Sequence, residues 1–257
     1  MAAPLIDPAV LPALGLCSAR IGGLMLIAPA FSARTVPVMV RTAFMAVLTF
    51  LLLPLTRPAP DIAITAASLL AELFIGFALG LGAAFFLAAA ELAGDVVAFQ
   101  SGLSGASTLD PINQTNVATL GQFMNLSALA LVLALDGHVV MVEALAHSLE
   151  VAPIGQPIAW QEGARALVGL GSDLFLTGVR IGAPVILAVL ISNLALGVLA
   201  RATPKLNVFV LAYPLQIAVG LFTLGVSLPF VFALFAGWDG LYRATSMELL
   251  ERLQVVP

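Results

Sequence analysis

Charged side chains are scarce in this sequence. Its 257 residues include only 10 Lys and Arg and 14 Asp and Glu, so 9% of the chain is charged, against about 25% in a typical soluble domain. Apolar residues make up 61%, and the mean hydropathy is +1.11. A soluble fold of this size needs a polar coat that so few charges do not supply. We therefore predict an integral membrane protein and set soluble enzyme classes aside.

Cysteine and basic residues are scarce as well. Cys17 is the only cysteine, which excludes a disulfide within the chain and a cysteine-based metal cluster. The net charge of −4 leaves no basic stripe that could neutralise phosphates, so we expect no binding of nucleic acid. The first ten residues contain Asp7 and no basic residue, whereas a cleavable signal peptide starts with positive charge. We therefore expect the first apolar segment to be retained.

Six apolar segments approach or exceed the roughly 20 helical residues that cross about 30 Å of hydrocarbon. They cover residues 10–31, 36–55, 62–99, 117–135, 166–199 and 206–235. The third would measure roughly 57 Å as one helix, so it either projects from the bilayer or breaks near its glycines and the acidic residues Glu91 and Asp95. The triplet Asp136-Gly137-His138 predicts a bend after the fourth segment. The tail after Trp238 places four leucines near one helical face, which predicts a short interfacial helix.

Seven ionisable residues lie within these apolar segments. They are Arg20, Arg41, Glu72, Glu91, Asp95, Asp173 and Arg180. A charge that faces lipid at the bilayer centre costs about 3 kcal/mol even on the gentler insertion scale, so these residues cannot all face lipid. Three interpretations stay open: buried pairs between helices, contact with other subunits or a water-filled lumen, and an ion or proton relay. Their scatter over four segments is unlike the compact midplane site of a lone transporter.

Three short motifs have both a functional and a structural interpretation. The sequence GLSG at residues 102–105 matches the G-x-S-G pattern of intramembrane serine proteases. A nucleophilic serine needs a histidine within hydrogen-bond reach, but His138 and His147 flank a different bend, so we predict a compact loop with neither catalysis nor a metal or cofactor. The GxxxG patterns at residues 76–80 and 178–182 allow close helix approach. They favour ordinary helix packing over a specific subunit contact.

Ordered sequence blocks from residue 20 to about residue 215 resemble the FliR family, the export-gate proteins of the flagellar type III secretion apparatus. The blocks are Arg20-Ile21, Ala28-Pro29, Ser32 to Pro37, Gly94 to Pro111, Asp136-Gly137-His138, Pro153-Ile154-Gly155, Asn193 to Gly197, Ala202 to Val210 and Tyr213-Pro214-Leu215. Their common order over most of the chain argues against coincidence. The sequence departs from the family pattern at Gly105, where a bulky residue is usual, and at Val139. The Asp-Gly-His block is closer to the flagellar branch than to the injectisome homologues.

The resemblance implies an all-α polytopic membrane protein of about six long, partly broken helices arranged as hairpins. It implies one membrane-embedded domain, 1–257, with a FliP-like part at 1–160, a FliQ-like hairpin at 161–237 and an interfacial tail at 238–257. Such a protein is no enzyme and needs no cofactor: it is a structural part of the export gate in the bacterial inner membrane, at the flagellar basal body. The implied partners are FliP-type, FliQ-type and FlhB-type subunits, the exported unfolded polypeptides and membrane lipid. The alternative function is a secondary, ion- or proton-coupled transporter.

Two segments are candidate functional sites on this resemblance. Residues 101–117 form a long polar loop between apolar segments, and the first hypothesis is a plug in the closed channel; the alternative is a surface loop outside the membrane. Its candidate residues are Gly102, Leu103, Ser104, Gly105, Asp110 and Pro111. The second hypothesis places the basic turn at residues 201–207 in the cytoplasm, touching an FlhB-type subunit through Arg201, Pro204 and Lys205. A topology-setting turn without a partner is its alternative.

Overall fold

The computed structural model describes residues 10–32, 36–56, 64–103, 119–203 and 208–254. In these ranges the chain forms helices and no strand, apart from one isolated antiparallel bridge between Ile158 and Gln254. The helices are α1 Val10–Ile27, α2 Pro29–Ser32, α3 Val38–Leu52, α4 Ala66–Gln100, α5 Thr119–Ala134, α6 Gly137–Val151, α7 Trp160–Ala202, α8 Val208–Ala236 and α9 Trp238–Leu253. A 3-10 turn at Leu53–Leu55 follows α3. The all-α polytopic fold class is confirmed.

Among the described residues, five helices are long and apolar enough to cross a membrane: α1, α3 with its 3-10 turn, α4, α7 and most of α8. A sixth span is possible if α5 and α6 count as one, and these two helices meet at a bend of 70°. The bend lies at Asp136, whose φ of 57° is left-handed and which holds the N-cap position of α6. The bend expected at the Asp-Gly-His triplet is therefore confirmed.

The third apolar segment forms one unbroken helix, α4. It has 35 residues and is about 52 Å long at 1.5 Å per residue, so of the two outcomes left open for this segment the continuous helix is correct. A glycine inside a helix costs about 1 kcal/mol relative to alanine. Gly76 and Gly80 are nevertheless favoured here, because the backbone of α1 packs directly on them.

The longest helix, α7, continues for 43 residues through Pro184, and α8 continues through Pro214 and Pro229. A proline removes a backbone hydrogen bond from a helix, and membrane helices tolerate this where neighbouring groups satisfy the freed carbonyl. The apolar run at residues 166–199 and the described part of the next run, residues 208–235, thus each lie in a single helix. Helix α7 starts six residues before its apolar run.

The chain divides into two compact units. Unit 1 comprises Met1–Phe85, Val132–Gly171 and Trp238–Pro257, and unit 2 comprises Phe86–Leu131 and Ser172–Gly237. Helices α4, α5 and α7 therefore contribute residues to both units. These units are defined by packing alone, so the division into FliP-like and FliQ-like parts stays a prediction.

The tail helix α9 packs into unit 1. Trp238 and Tyr242 stack with ring centroids 5.0 Å apart, and the Tyr242 hydroxyl donates a hydrogen bond to the Leu79 carbonyl of α4 at 3.2 Å. Burial raises the pKa of the Tyr242 phenol, so it stays protonated as a donor. Of the four tail leucines, three are buried and Leu241 is 54% exposed, so the prediction that Leu241 shares one helical face with the other three is wrong. The three buried ones are Leu249, Leu250 and Leu253.

Candidate functional site

Helices α1 and α4 of unit 1 cross in direct backbone contact. A Cβ atom at Gly76 would overlap the Arg20 carbonyl oxygen, and one at Gly80 would lie 2.8 Å from the Leu24 carbonyl oxygen. On the α1 side, a Cβ at Gly23 would overlap the α4 backbone in the same way. The glycines at residues 76 and 80 thus act in packing within the chain, as the GxxxG pattern favours.

This close crossing places a buried arginine against a buried glutamate. The Arg20 side chain is fully buried, and its Nε donates to Glu72 Oε2 at 2.6 Å. Its Nη1 donates to the Ser148 carbonyl at 2.7 Å and to the Ser148 hydroxyl at 3.3 Å, and Nη2 donates to the Ala152 carbonyl at 2.9 Å. The other Glu72 oxygen, Oε1, accepts from the Gly155 backbone N–H at 2.9 Å. All three guanidinium nitrogens and both carboxylate oxygens therefore have partners.

We call this group of five residues the Arg20 latch: Arg20, Glu72, Ser148, Ala152 and Gly155. It joins α1, α4, the C-terminal end of α6 and the loop that follows α6. A buried ion pair is tolerated only when further hydrogen bonds satisfy both charges, and the latch meets this condition. Gly155 has a φ of 84°, which only glycine adopts without strain. The latch holds four chain segments together and leaves neither charge open to a ligand.

The five other ionisable candidates lie elsewhere. Arg41 is half-buried on α3. Glu91 is exposed and accepts a hydrogen bond from Asn125 Nδ2 at 2.8 Å. Asp95, Asp173 and Arg180 are exposed as well. Within the part of the chain that the structure describes, these last three residues make no ion pair. In the described part of the chain, Arg20 and Glu72 are thus joined to each other.

A second structural feature, the capped C-terminal end of α4, lies in unit 2. The Leu103 N–H donates to the Ala98 carbonyl at 2.9 Å, and the Gly102 N–H donates to the Phe99 carbonyl at 3.1 Å. With Gly102 at a φ of 73°, these bonds form a Schellman cap, the arrangement in which a left-handed glycine closes a helix. The cap occupies residues 101–103, the first residues of the predicted plug loop.

The capped end of α4 rests on α8. Gly102 lies so near that a Cβ on it would be 3.1 Å from Tyr213 Cδ1, and Ser101 is fully buried against Gly220, where a Cβ would overlap the serine hydroxyl. Gln216 Nε2 donates to Asn193 Oδ1 at 2.5 Å and so ties α8 to α7. Ser101, Gly102, Tyr213, Gln216 and Gly220 form what we call the α4 seat.

The structure covers the candidate loop and turn residues in part. Gly102 and Leu103 belong to the capped turn, and Arg201 is exposed in the last turn of α7. The remaining candidates lie outside the described residues: Ser104, Gly105, Asp110, Pro111, Pro204 and Lys205. Both hypotheses therefore stay predictions.

Sequence reasoning missed most members of both groups. Ser148 and Ala152 contribute backbone carbonyl acceptors to the latch and Gly155 a backbone N–H donor, and backbone groups give no signal in side-chain chemistry. Gly155 stood within a family-like block and Tyr213 within another, which is the only signal that could have pointed to them. Gly220 lies in a uniformly apolar helix and gave none.

Apart from the latch and the seat, the main feature is uncovered apolar surface. In the most hydrophobic 18-residue stretch of each of the helices α3, α7 and α8, only 17% of the residues are buried. Among the described residues no three His, Cys, Asp or Glu side chains cluster to hold a metal. Long apolar helices, a satisfied internal ion pair and broad uncovered faces define a multi-pass helical membrane protein.

Comparison with known proteins narrows this class. Residues 11–238 match the sequence model of a family described as bacterial export proteins, family 1. The chain is 33% identical to the flagellar biosynthetic protein FliR of Escherichia coli K12 over 216 residues, which cover 82% of each chain. It is 29% identical to the protein of that name in Bacillus subtilis 168, over 93% of this chain and 95% of the relative. The chain belongs to the FliR family of bacterial export proteins.

Proposed function

We propose that this protein is a structural component of the flagellar type III export gate, where it helps to form and close the channel through which unfolded flagellar subunits leave the cell. Membership of the FliR family gives it a role in the flagellar export apparatus. Its apolar helices make it a membrane protein, and the proposal places it in the bacterial inner membrane at the basal body. It acts by assembly with other subunits and not as an enzyme.

The length of α7 carries this proposal. Its 43 residues measure about 64 Å, roughly twice the hydrocarbon thickness. Residues 181–200 are free of charge and match about 30 Å of lipid, with Arg180 and Arg201 at the two ends. Before Arg180 the helix still carries exposed apolar side chains, among them Val168 at 76% and Phe175 at 59%. About 30 Å of hydrocarbon cannot cover both stretches of this one continuous helix, so we infer that other protein subunits cover the first.

The charges on α7 support the same conclusion. Asp173 and Arg180 are seven residues apart, which is two helical turns, so they share one face with the exposed Leu187 and Ile191. If the bilayer covered the stretch before Arg180 instead, Asp173 and Arg180 would be charges in hydrocarbon, each at a cost of about 3 kcal/mol. A neighbouring subunit or water in a channel removes that cost. We propose FliP-type and FliQ-type subunits as these neighbours.

The basic turn after α7 is the proposed contact for an FlhB-type subunit. Arg201 is exposed there, and Lys205 adds a second positive charge, which favours the cytoplasmic side. A cysteine replacing Lys205 should cross-link to the FlhB-type subunit. A fusion reporter that is active only outside the cytoplasm, attached at residue 205, would refute this contact if it were active.

The loop that follows the α4 seat is proposed to close the channel at rest. The residues within 101–117 are mostly small or polar. Such residues bind weakly to an apolar channel wall, so they suit a plug that moves aside for an unfolded chain. Deletion of residues 103–112 should therefore make cells leak small solutes while the gate still assembles. Unchanged permeability, with normal assembly, would show that this loop does not close the channel.

A further inference from the structure

The contact between Ser101 and α8 depends on shape and not on hydrogen bonding. Ser101 is fully buried, and its Oγ has no hydrogen-bond partner among the described residues. The hydroxyl instead fills the notch at Gly220, where a side chain would overlap both Oγ and Cβ of the serine. Ser101 is thus a knob, and Gly220 is the hole that receives it.

The hole belongs to one continuous face of α8. Tyr213, Gln216 and Gly220 are three and four residues apart, the spacing that places residues on the same side of a helix. The first contacts Gly102 and the last contacts Ser101. Gln216 adds the hydrogen bond to Asn193 of α7. Any movement of the α7–α8 hairpin must therefore shift the end of α4 or break this contact.

We infer that Ser101 and Gly220 are positioning residues that couple the α7–α8 hairpin to the start of the loop after α4. While the knob sits in its hole, the capped turn at residues 101–103 is held against α8. When the hairpin moves, the turn is released. The consequence for channel closure rests on the proposed function, whereas the coupling itself does not.

A swap of knob and hole tests the coupling. Gly220→Ala places a methyl group where the serine hydroxyl lies, so it should expel the turn. Ser101→Gly removes the knob and leaves a void. In the double variant the new methyl group occupies the space of the lost hydroxyl, so the contact should be restored. Gly225→Ala is the matched control, because nothing lies within 4 Å of a Cβ at that glycine of the same helix.

The readout is the labelling rate of a cysteine replacing Leu103, measured with a maleimide on the full-length protein in membrane vesicles. The native Cys17 is fully buried and does not compete. We expect each single variant to label at least threefold faster, the double variant to return to within a factor of about 1.5 of the parent, and Gly225→Ala to leave the rate unchanged. If Gly220→Ala fails to fold, an unchanged rate in Ser101→Gly overturns the coupling, as does a double variant that labels as fast as the singles.

Solute leakage of the same variants separates this inference from the proposed function. If deletion of residues 103–112 causes leakage and the two single variants leak in the order of their labelling rates, the coupling and the closing role of the loop are both supported. Leakage after the deletion alone, with unchanged labelling in the single variants, overturns the coupling and leaves the closing role standing. No leakage in any variant, with faster labelling in the single variants, overturns the closing role and leaves the coupling standing.

Discussion

Removal of the Glu72 carboxylate should be far more damaging than removal of any exposed ion pair. In Glu72→Ala the Arg20 guanidinium stays buried with its Nε unpaired, and the Gly155 N–H loses its acceptor. Breaking a buried pair by removing one partner costs about 3–5 kcal/mol, because the remaining charge is uncompensated. For a chain of this size each 1 kcal/mol corresponds to about 2–4 °C in Tm. We therefore expect the Tm of the purified protein to fall by about 6–20 °C.

Two comparisons make this prediction specific to the buried charge. Arg165 pairs with Glu162 on the surface of α7, where both side chains are largely exposed, so Arg165→Met should cost less than about 1 kcal/mol. The double variant Arg20→Met with Glu72→Met leaves no buried charge, so it should be no less stable than Glu72→Ala. Thermal unfolding in detergent, followed by loss of soluble protein, measures all three. Equal Tm values for Glu72→Ala and Arg165→Met would refute the reasoning, as would a double variant that is less stable than Glu72→Ala.

Two further predictions concern packing within unit 1. Gly76→Ala should lower Tm by at least as much as Glu72→Ala, because its methyl group overlaps backbone of α1. Gly169→Ala has open space around its Cβ and should leave Tm unchanged or slightly higher. Equal changes in Tm for the two glycine variants would contradict the close crossing of α1 and α4. Tyr242→Phe should cost about 1 kcal/mol through the lost hydrogen bond to Leu79. Burial raises the pKa of Tyr242 above the 10.0 of a free phenol, so the parent protein should lose stability as the pH rises above 10.0. Unfolding of Tyr242→Phe, measured over the same pH range, should lack this loss.

The sequence predicts the helical elements well because the hydropathy signal is strong. Every apolar segment corresponds to helix in the described residues, and the bend at Asp136 follows from turn-forming residues between two helical runs. The continuity of α4 could not be decided from glycine content alone. A glycine weakens an isolated helix, but Gly76 and Gly80 are held by a second backbone, which is information about packing and not about local propensity.

The candidate site was only partly predictable. The cost of a buried charge pointed to Arg20 and Glu72, but the groups that complete the latch are mostly backbone atoms, and the Ala152 carbonyl lies 132 residues from Arg20 in the chain. For Asp173 and Arg180 the same reasoning predicted a partner, and the described part of the chain supplies none. A buried charge must be compensated, but the compensating group can belong to the same chain or to another subunit. Sequence alone therefore could not separate internal pairing from contact with another subunit.

The tail shows a different limit. Leu241 is nine residues from Leu250, so at about 100° per residue the two lie on opposite sides of the helix and the four leucines cannot share one face. The rotation of α9 is fixed by the stacked rings of Trp238 and Tyr242 and by the hydrogen bond to Leu79. Large aromatic side chains decide such a contact, and a hydrophobic pattern gives them no more weight than a leucine.

The central claim is that subunits of the same assembly cover the apolar surface of α7 that lipid cannot reach. The most direct test is a photoreactive amino acid at Phe175, in the stretch before Arg180, with the same substitution at Leu190 within the charge-free stretch as the reference. After illumination of intact membranes, we predict a specific adduct from position 175 with a FliP-type or FliQ-type subunit. Adducts with lipid alone at both positions, on a protein that purifies as a stable monomer, would contradict the claim.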